Sequence, residues 1–128
     1  LQRAFDALLA ELGATERTVT VVLLDDAAMT HHNVNDRGAS GPTDVLSYPT
    51  REPDDTNIPE IAHLGDILID VEQAERQAPD HAHDLVEEVL VLAAHGLTHL
   101  RGFDHPDPAG WQPFLQAQQR ILELDAGT

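Results

Sequence analysis

The feature that most constrains this chain is its most apolar stretch, which covers residues 85–101 and stops at Gly102. Asp80 or Asp84 can cap the start of a helix here, and the glycine offers the break at which helices commonly end. A helix that is apolar around most of its circumference has to be buried by other elements. We therefore expect this helix to lie in the core, with the remaining elements packed around it.

Apolar patterns on both sides of this helix predict the other elements. Helical spacing predicts a helix over 1–12, one that follows Asp25 or Asp26 and ends near Asn35, a polar one over 72–77 and a last one after Pro108 or Pro113. Alternating or β-branched runs predict strands over 17–24, 44–48 and 64–71, the first of them buried on both faces. Residues 36–42 and 51–60 carry turn-forming residues and are predicted to be loops.

Strands interleaved with helices predict an α+β fold. We expect a single domain over residues 1–128, in which a small mixed β-sheet is covered by helices. A length of 128 residues is enough for one hydrophobic core. The longest purely apolar run, residues 89–94, is far shorter than the ~20 residues that cross a bilayer, so no membrane segment is expected.

Charge restricts the partners that the chain can bind. Its 23 acidic and 7 basic residues give a net charge of −16, and all seven basic residues are arginines. Phosphate-driven binding of nucleic acid needs clustered cations, so this composition argues against an unaided nucleic-acid binder without forbidding a local site of opposite character. Cysteine is absent, which excludes disulfides, a thiolate nucleophile and cysteine-ligated metals.

Three histidines at the end of the apolar helix have the spacing of metal ligands. His95 and His99 are four residues apart and so project from one face of a helix, one turn from each other. Gly102 then permits a tight turn that brings His105 to the same point. This is the histidine and glycine spacing of metzincin peptidases, except that Gly96 stands where those enzymes have their general-base Glu. The buried helix is therefore predicted to be a metal-binding helix.

Three imidazoles with an open fourth position favour one zinc ion per chain, although copper, nickel or iron also accept such ligands. Zinc lowers the pKa of a bound water from ~15.7 towards ~7, which is the chemistry of a hydrolase. The other histidines have no third partner at a diagnostic spacing and are interpreted as surface residues or as residues behind the ligands. They are His31, His32, His63, His81 and His83.

Three segments resemble the YbeY family of endoribonucleases. Residues 95–105 are similar to its H-G-x-x-H-L-x-G-x-D-H signature, residues 35–49 to its R-G-x-x-x-P-T-D-V-L-S-F-P segment, and residues 64–67 to its L-G-D-I strand. The resemblance implies a metal-dependent endoribonuclease, specific for single strands, that matures ribosomal RNA near the 3′ end of the small-subunit rRNA. It also implies that His95, His99 and His105 bind the zinc ion, and Arg37 matches the family's functional arginine.

A phosphodiester substrate suggests roles for two further residues. Arg37 is the candidate that stabilises charge on the phosphate. Asp104 is a candidate general base, although support of a ligand imidazole is an alternative role, and Asp66 has the same ambiguity. The nucleophile is either the metal-bound water or the 2′-hydroxyl of the RNA, and the sequence does not choose between them.

We expect the protein to act in the cytoplasm and to take part in ribosome quality control. The expected partners are single-stranded rRNA and the small ribosomal subunit or its proteins, whereas DNA and membranes are not expected. Two alternatives stay open at this point. One is a metallopeptidase or other zinc hydrolase, against which Gly96 argues, and the other is a non-catalytic ribosome-associated factor with a structural metal.

Overall fold

The structure, a computed structural model, describes residues 2–12, 18–38, 41, 43–49, 63–101 and 108–126. Of Arg37, His63, Pro108 and Ala109 it describes the backbone alone. Five α-helices, three β-strands and two 3-10 helices lie in these ranges. In chain order they are α1 (Gln2–Glu11), β1 (Thr18–Leu24), α2 (Asp26–Arg37), β2 (Val45–Pro49), β3 (His63–Asp70), α3 (Val71–Gln77), a 3-10 helix (Ala78–His81), α4 (Leu85–Leu100), a second 3-10 helix (Pro108–Trp111) and α5 (Gln112–Ala126).

The three strands form one mixed sheet with β3 in its centre. β1 pairs with β3 in parallel, and β2 pairs with β3 antiparallel. Side chains of β3 alternate between the two faces, so that Ile67 and Ile69 enter one apolar cluster and Leu68 enters another. The predicted mixed sheet in an α+β fold is confirmed.

Helices cover both faces of this sheet. The larger cluster joins α1, α4 and α5 to Ile67 and Ile69, and the smaller one joins Met29 of α2 to Leu46 and Leu68. α4 is the most buried helix, with Leu90, Ala94 and Leu97 almost completely covered. The predicted burial of this helix is confirmed, and its cap is Asp84, whose side chain accepts a hydrogen bond from the backbone N–H of Glu87.

Two predictions about single elements are wrong. β1 is predicted to be buried on both faces, but Val22 and Leu23 are 37% and 50% exposed. Among the described strands, β1 lies at the sheet edge and pairs with β3 alone. The helix predicted to end near Asn35 continues to Arg37, because Gly38 takes the left-handed conformation that closes it. Arg37 therefore ends a helix and does not lie in a loop. Among the helices that the structure describes, none is long and apolar enough to cross a membrane.

Candidate metal centre

His95 and His99 lie one turn apart on the same face of α4, as the spacing predicts. Their ring centroids are 4.9 Å apart and the two rings meet edge to face. Both side chains are partly buried, at the end of a helix whose other residues are largely covered. Two imidazoles that α4 holds in this way could provide two ligands of a metal ion.

Two aromatic side chains, one just before α5 and one in its first turn, pack against the imidazoles. The ring of Phe114, which is fully buried, lies 4.7 Å from that of His95 and 4.8 Å from that of His99, measured between centroids. Trp111 lies 6.0 Å from His95. These contacts restrict the rotation of both histidines and shield them on one side from water. No sequence pattern connects either aromatic residue with the site, because both belong to a later element that only the fold brings to α4.

Gln118 of α5 is a further neighbour that sequence reasoning missed. Its amide nitrogen lies 3.2 Å from Nδ1 of His95. Because this contact engages Nδ1, Nε2 is the nitrogen of His95 that suits a metal ion. A metal at Nε2 requires the proton on Nδ1, and the amide of Gln118 can turn its oxygen to accept that proton.

Gly96 is the point at which α4 touches the sheet. A Cβ atom at this position would lie 2.7 Å from Cγ2 of Ile67 and 3.1 Å from Oγ of Ser47. The hydroxyl of Ser47 donates a hydrogen bond to the carbonyl oxygen of Gly96 across 3.3 Å. The residue that follows the first histidine therefore faces the sheet, where the Glu of a metzincin would not fit. The sheet thus approaches α4 closely at Gly96.

A cleft of about 380 Å³ opens beside the two histidines. β2, which is an edge strand, forms one wall of the cleft, and the end of α4 forms the other. Asp44 is the charged residue among those that line the cleft in the described part of the chain. The lining residues are Asp44, Val45, Leu46, Ser47, Pro49, His95, His99 and Leu100.

Asp66 lies in β3, where it pairs with Tyr48 of β2. The side chains of the other predicted site residues lie outside what the structure describes. His105 and Asp104 fall in the range 102–107, and of Arg37 only the backbone at the end of α2 is described. Tyr48 of β2 packs against the smaller cluster and donates a hydrogen bond of 2.8 Å to Asp36. That bond, with a second one from His32, lowers the pKa of Asp36.

The structure also brings together His81, His83 and Glu88, which sequence reasoning did not connect. The ligand atoms of these three side chains all lie within 4.8 Å of one another, so this group could hold a metal ion. His81 and His83 are interpreted above as lacking a third partner, and Glu88 is that partner. The signal in the sequence is a His-x-His pair followed after five residues by an acid in the first turns of an apolar helix.

A third group consists of Asp26, Asp70 and Glu72, whose carboxylates also lie within 4.8 Å of one another. Arg76 already provides a positive charge there, since its guanidinium donates two hydrogen bonds of 2.8 and 2.9 Å to Asp26. Those bonds, followed by one from Asp70, lower the pKa of Asp26 to about 2. Burial and the neighbouring Asp26 raise the pKa of Asp70 to about 6. We interpret this group as an ion-pair network that joins α2 to α3.

Comparison with known proteins identifies the family. A family model described as Endoribonuclease YbeY matches residues 1–124. The chain belongs to the YbeY family. Endoribonuclease YbeY of Thermus thermophilus is 47% identical over 124 residues, which are 97% of this chain and 88% of the relative. Endoribonuclease YbeY of Deinococcus radiodurans is 46% identical over 110 residues, which are 86% of this chain and 70% of the relative.

A solved structure supports the fold. The solution structure of a Thermotoga maritima protein matches 98% of this chain and 79% of its own, with a TM-score of 0.69 and 24% identity. Because the chain belongs to the YbeY family, it is an endoribonuclease. Endoribonucleases are nucleases, a class of hydrolase that acts on RNA. The family is metal-dependent, and the paired imidazoles of His95 and His99 are a donor set that fits zinc.

Proposed function

We propose that this chain is a single-domain, zinc-dependent endoribonuclease that cuts single-stranded RNA. The observation that carries the proposal is the pair His95 and His99, fixed on a buried helix in the wall of an open cleft. The substrate would be rRNA near the 3′ end of the small-subunit rRNA, and the setting would be rRNA maturation and ribosome quality control in the cytoplasm. The names of the YbeY relatives, which specify an endoribonuclease, support the substrate class.

One zinc ion per chain would be held by His95, His99 and His105. When bound, it would supply Lewis acidity that lowers the pKa of a water and offsets charge on the phosphate. Gln118 and Phe114 would keep the imidazole of His95 in one orientation, because one binds its Nδ1 and the other packs on its ring. These contacts would preorganise the ligands before the ion arrives.

Arg37 would stabilise the negative charge that develops on the non-bridging oxygens of the phosphate. Asp104 would act next to the ligand His105, either as a general base or by orienting that imidazole. The water and the 2′-hydroxyl of the RNA are both retained as candidate nucleophiles. The packing of Gly96 on Ile67 supports this nuclease over a peptidase, since a peptidase of this ligand pattern needs a Glu at that position.

The test combines cleavage of single-stranded RNA with metal analysis on the same samples. We expect His99→Ala to lose both cleavage and a zinc ion, and Arg37→Ala to lose cleavage but keep the metal. The matched control is His31→Ala, which removes an exposed histidine of α2 and should leave both readouts unchanged. Intact RNA after incubation with metal-replete wild type would contradict the proposal.

A further inference from the structure

A tight turn before α4 places two imidazoles beside a buried carboxylate. The 3-10 helix over Ala78–His81 ends at Ala82, which takes a left-handed conformation with φ 59° and ψ 35°. This reversal sets His83 next to His81, with ring centroids 6.1 Å apart. Both face Glu88, which lies in the first turn of α4 and is 1% exposed.

The carboxylate of Glu88 makes short polar contacts with three side chains. Nδ1 of His81 and Nδ1 of His83 each lie 3.0 Å from its Oε1, and His81 Nδ1 is also 3.0 Å from Oε2. Gln77 donates a hydrogen bond of 2.7 Å to Oε2. Oε1 is thus the oxygen that both imidazoles approach, while Oε2 is held by an amide that can stay in place when an ion binds.

We propose that His81, His83 and Glu88 form a second metal site, which takes a divalent transition ion of the zinc class through two Nδ1 atoms and one carboxylate oxygen. Zinc bonds of about 2.0–2.1 Å in a tetrahedron separate the ligand atoms by roughly 3.3 Å. The observed His–Glu separations of 3.0 Å are close to that value, and all three ligand atoms lie within 4.8 Å of one another. An ion could replace these hydrogen bonds once the ring protons are on the Nε2 atoms. Two histidines and one glutamate are an established set of zinc ligands.

Charge and access agree with this site. Burial raises the pKa of Glu88, but hydrogen bonds from His81, His83 and Gln77 outweigh that effect and leave the pKa below its ordinary value. The carboxylate is therefore ionised at neutral pH and can offset half of the charge of a divalent ion. The side chain of His81 is 52% exposed, so an ion and its water can reach the site from solvent.

The site is separate from the one formed by His95 and His99. Glu88 precedes His95 by seven residues, which is roughly 10 Å along a helix. An ion held there would connect the 3-10 helix to the beginning of α4, and we expect it to stabilise the helix that carries the other two histidines.

The test counts ions on the intact chain, with zinc by elemental analysis and with Co²⁺ by its visible absorption. We expect two ions per wild-type chain, one in His99→Ala, one in His81→Ala and none in the double variant. His31→Ala is the matched control and should retain both. His81 is exposed, so its replacement should leave the fold intact, which makes it a safer variant than a change of the buried Glu88.

The outcomes separate this site from the proposed nuclease centre. An ion that is lost in His81→Ala but kept in His99→Ala supports the second site. This holds even if the wild type binds only this one ion and the nuclease proposal fails. A His99→Ala protein that binds no ion, or a double variant that binds as much as His99→Ala, would overturn the second site. As an independent readout, zinc should raise the melting temperature of His99→Ala and leave that of the double variant unchanged.

Discussion

At the scale of single residues, the neighbours of the predicted ligands carry as much information as the ligands. Gln118 contacts Nδ1 of His95, and Phe114 packs against both imidazoles. Outer residues of this kind set the orientation and the tautomer of a ligand histidine. The sequence pattern located His95 and His99 as candidate ligands, but it contained no sign that a glutamine 23 residues later would contact His95.

Replacement of Gln118 tests this support. We expect Gln118→Ala to bind zinc about 10- to 100-fold more weakly than wild type, because His95 loses the contact that orients its ring. Competition with a chromophoric chelator measures the affinity. Gln119→Ala is the matched control, since Gln119 is exposed on the same helix and contacts Glu123. Equal affinities of the two variants and of wild type would refute the positioning role.

Asp70 gives the stability of the protein a dependence on pH. It caps α3 by accepting hydrogen bonds from the backbone of Glu72 and Gln73, and it is fully buried. Because burial and Asp26 raise its pKa from 3.8 to about 6, the folded state binds a proton that the unfolded state releases. The stabilising contribution of this group is complete below pH 3.8 and is lost as the pH rises through about 6.

We expect Asp70→Asn to remove this dependence, because an asparagine caps a helix as well and can still donate to Asp26. Between about pH 4 and pH 7, wild type should lose up to about 3 kcal/mol of stability relative to the variant. Urea denaturation across this pH range measures the difference. Asp84→Asn changes the exposed cap of α4 and should show the same pH dependence of stability as wild type. Parallel curves for wild type and Asp70→Asn would show that Asp70 does not titrate in this range.

At the scale of elements, the contact between α4 and the sheet depends on Gly96. A side chain at this position would meet Ile67 and Ser47, so the glycine sets how closely the helix approaches β2 and β3. The same contact positions His95, which is the neighbouring residue, relative to the cleft along β2. The absence of a side chain is thus a packing requirement at the site.

We expect Gly96→Ala to be destabilising. Overpacking of this kind costs about 1–3 kcal/mol, which offsets or exceeds the roughly 1 kcal/mol that alanine contributes through helix propensity. Chemical denaturation gives the free energy of unfolding. In an Ile67→Ala background, which removes both contacting carbon atoms of Ile67, the same change should become neutral or stabilising. A change of equal size in both backgrounds would exclude the contact with Ile67 as the cause.

At the scale of the whole molecule, the charge of −16 has to coexist with an RNA substrate. Ion pairs between described residues already engage Arg76 with Asp26, and Arg120 with Glu11 and Glu123. Between residues 89 and 103 the only charged side chain in the sequence belongs to an arginine at position 101, so the helix with the two histidines is nearly neutral in an acidic chain. Acidic residues are therefore concentrated outside the part of the helix that carries the two histidines.

This distribution predicts weak binding of naked RNA. We expect a dissociation constant above about 1 µM at physiological salt, because a chain with few cations releases few counterions from the RNA backbone. Fluorescence anisotropy with a labelled single strand, measured over a range of salt concentrations, tests this. Affinity should fall as salt is added and should rise when the small ribosomal subunit presents the RNA. Tight binding of naked RNA at physiological salt would contradict the expectation.

The sequence by itself determined what depends on neighbours within a few turns. Helical periodicity, the cap at Asp84 and the four-residue spacing of His95 and His99 were confirmed, because hydrogen bonds and side-chain directions repeat within one helix. Three motifs in the right order also identified the family, whose model matches residues 1–124.

Only the tertiary structure decided which side chains meet across elements. In the tertiary structure β1 lies at a sheet edge and Gly96 contacts Ile67. Gln118 contacts His95, and the left-handed conformation of Ala82 allows His81 and His83 to contact Glu88. Periodicity shows which face of an element is apolar, but not which other element will cover that face. That choice depends on the packing of all elements at once, and in this protein it determines the surroundings of both histidine clusters.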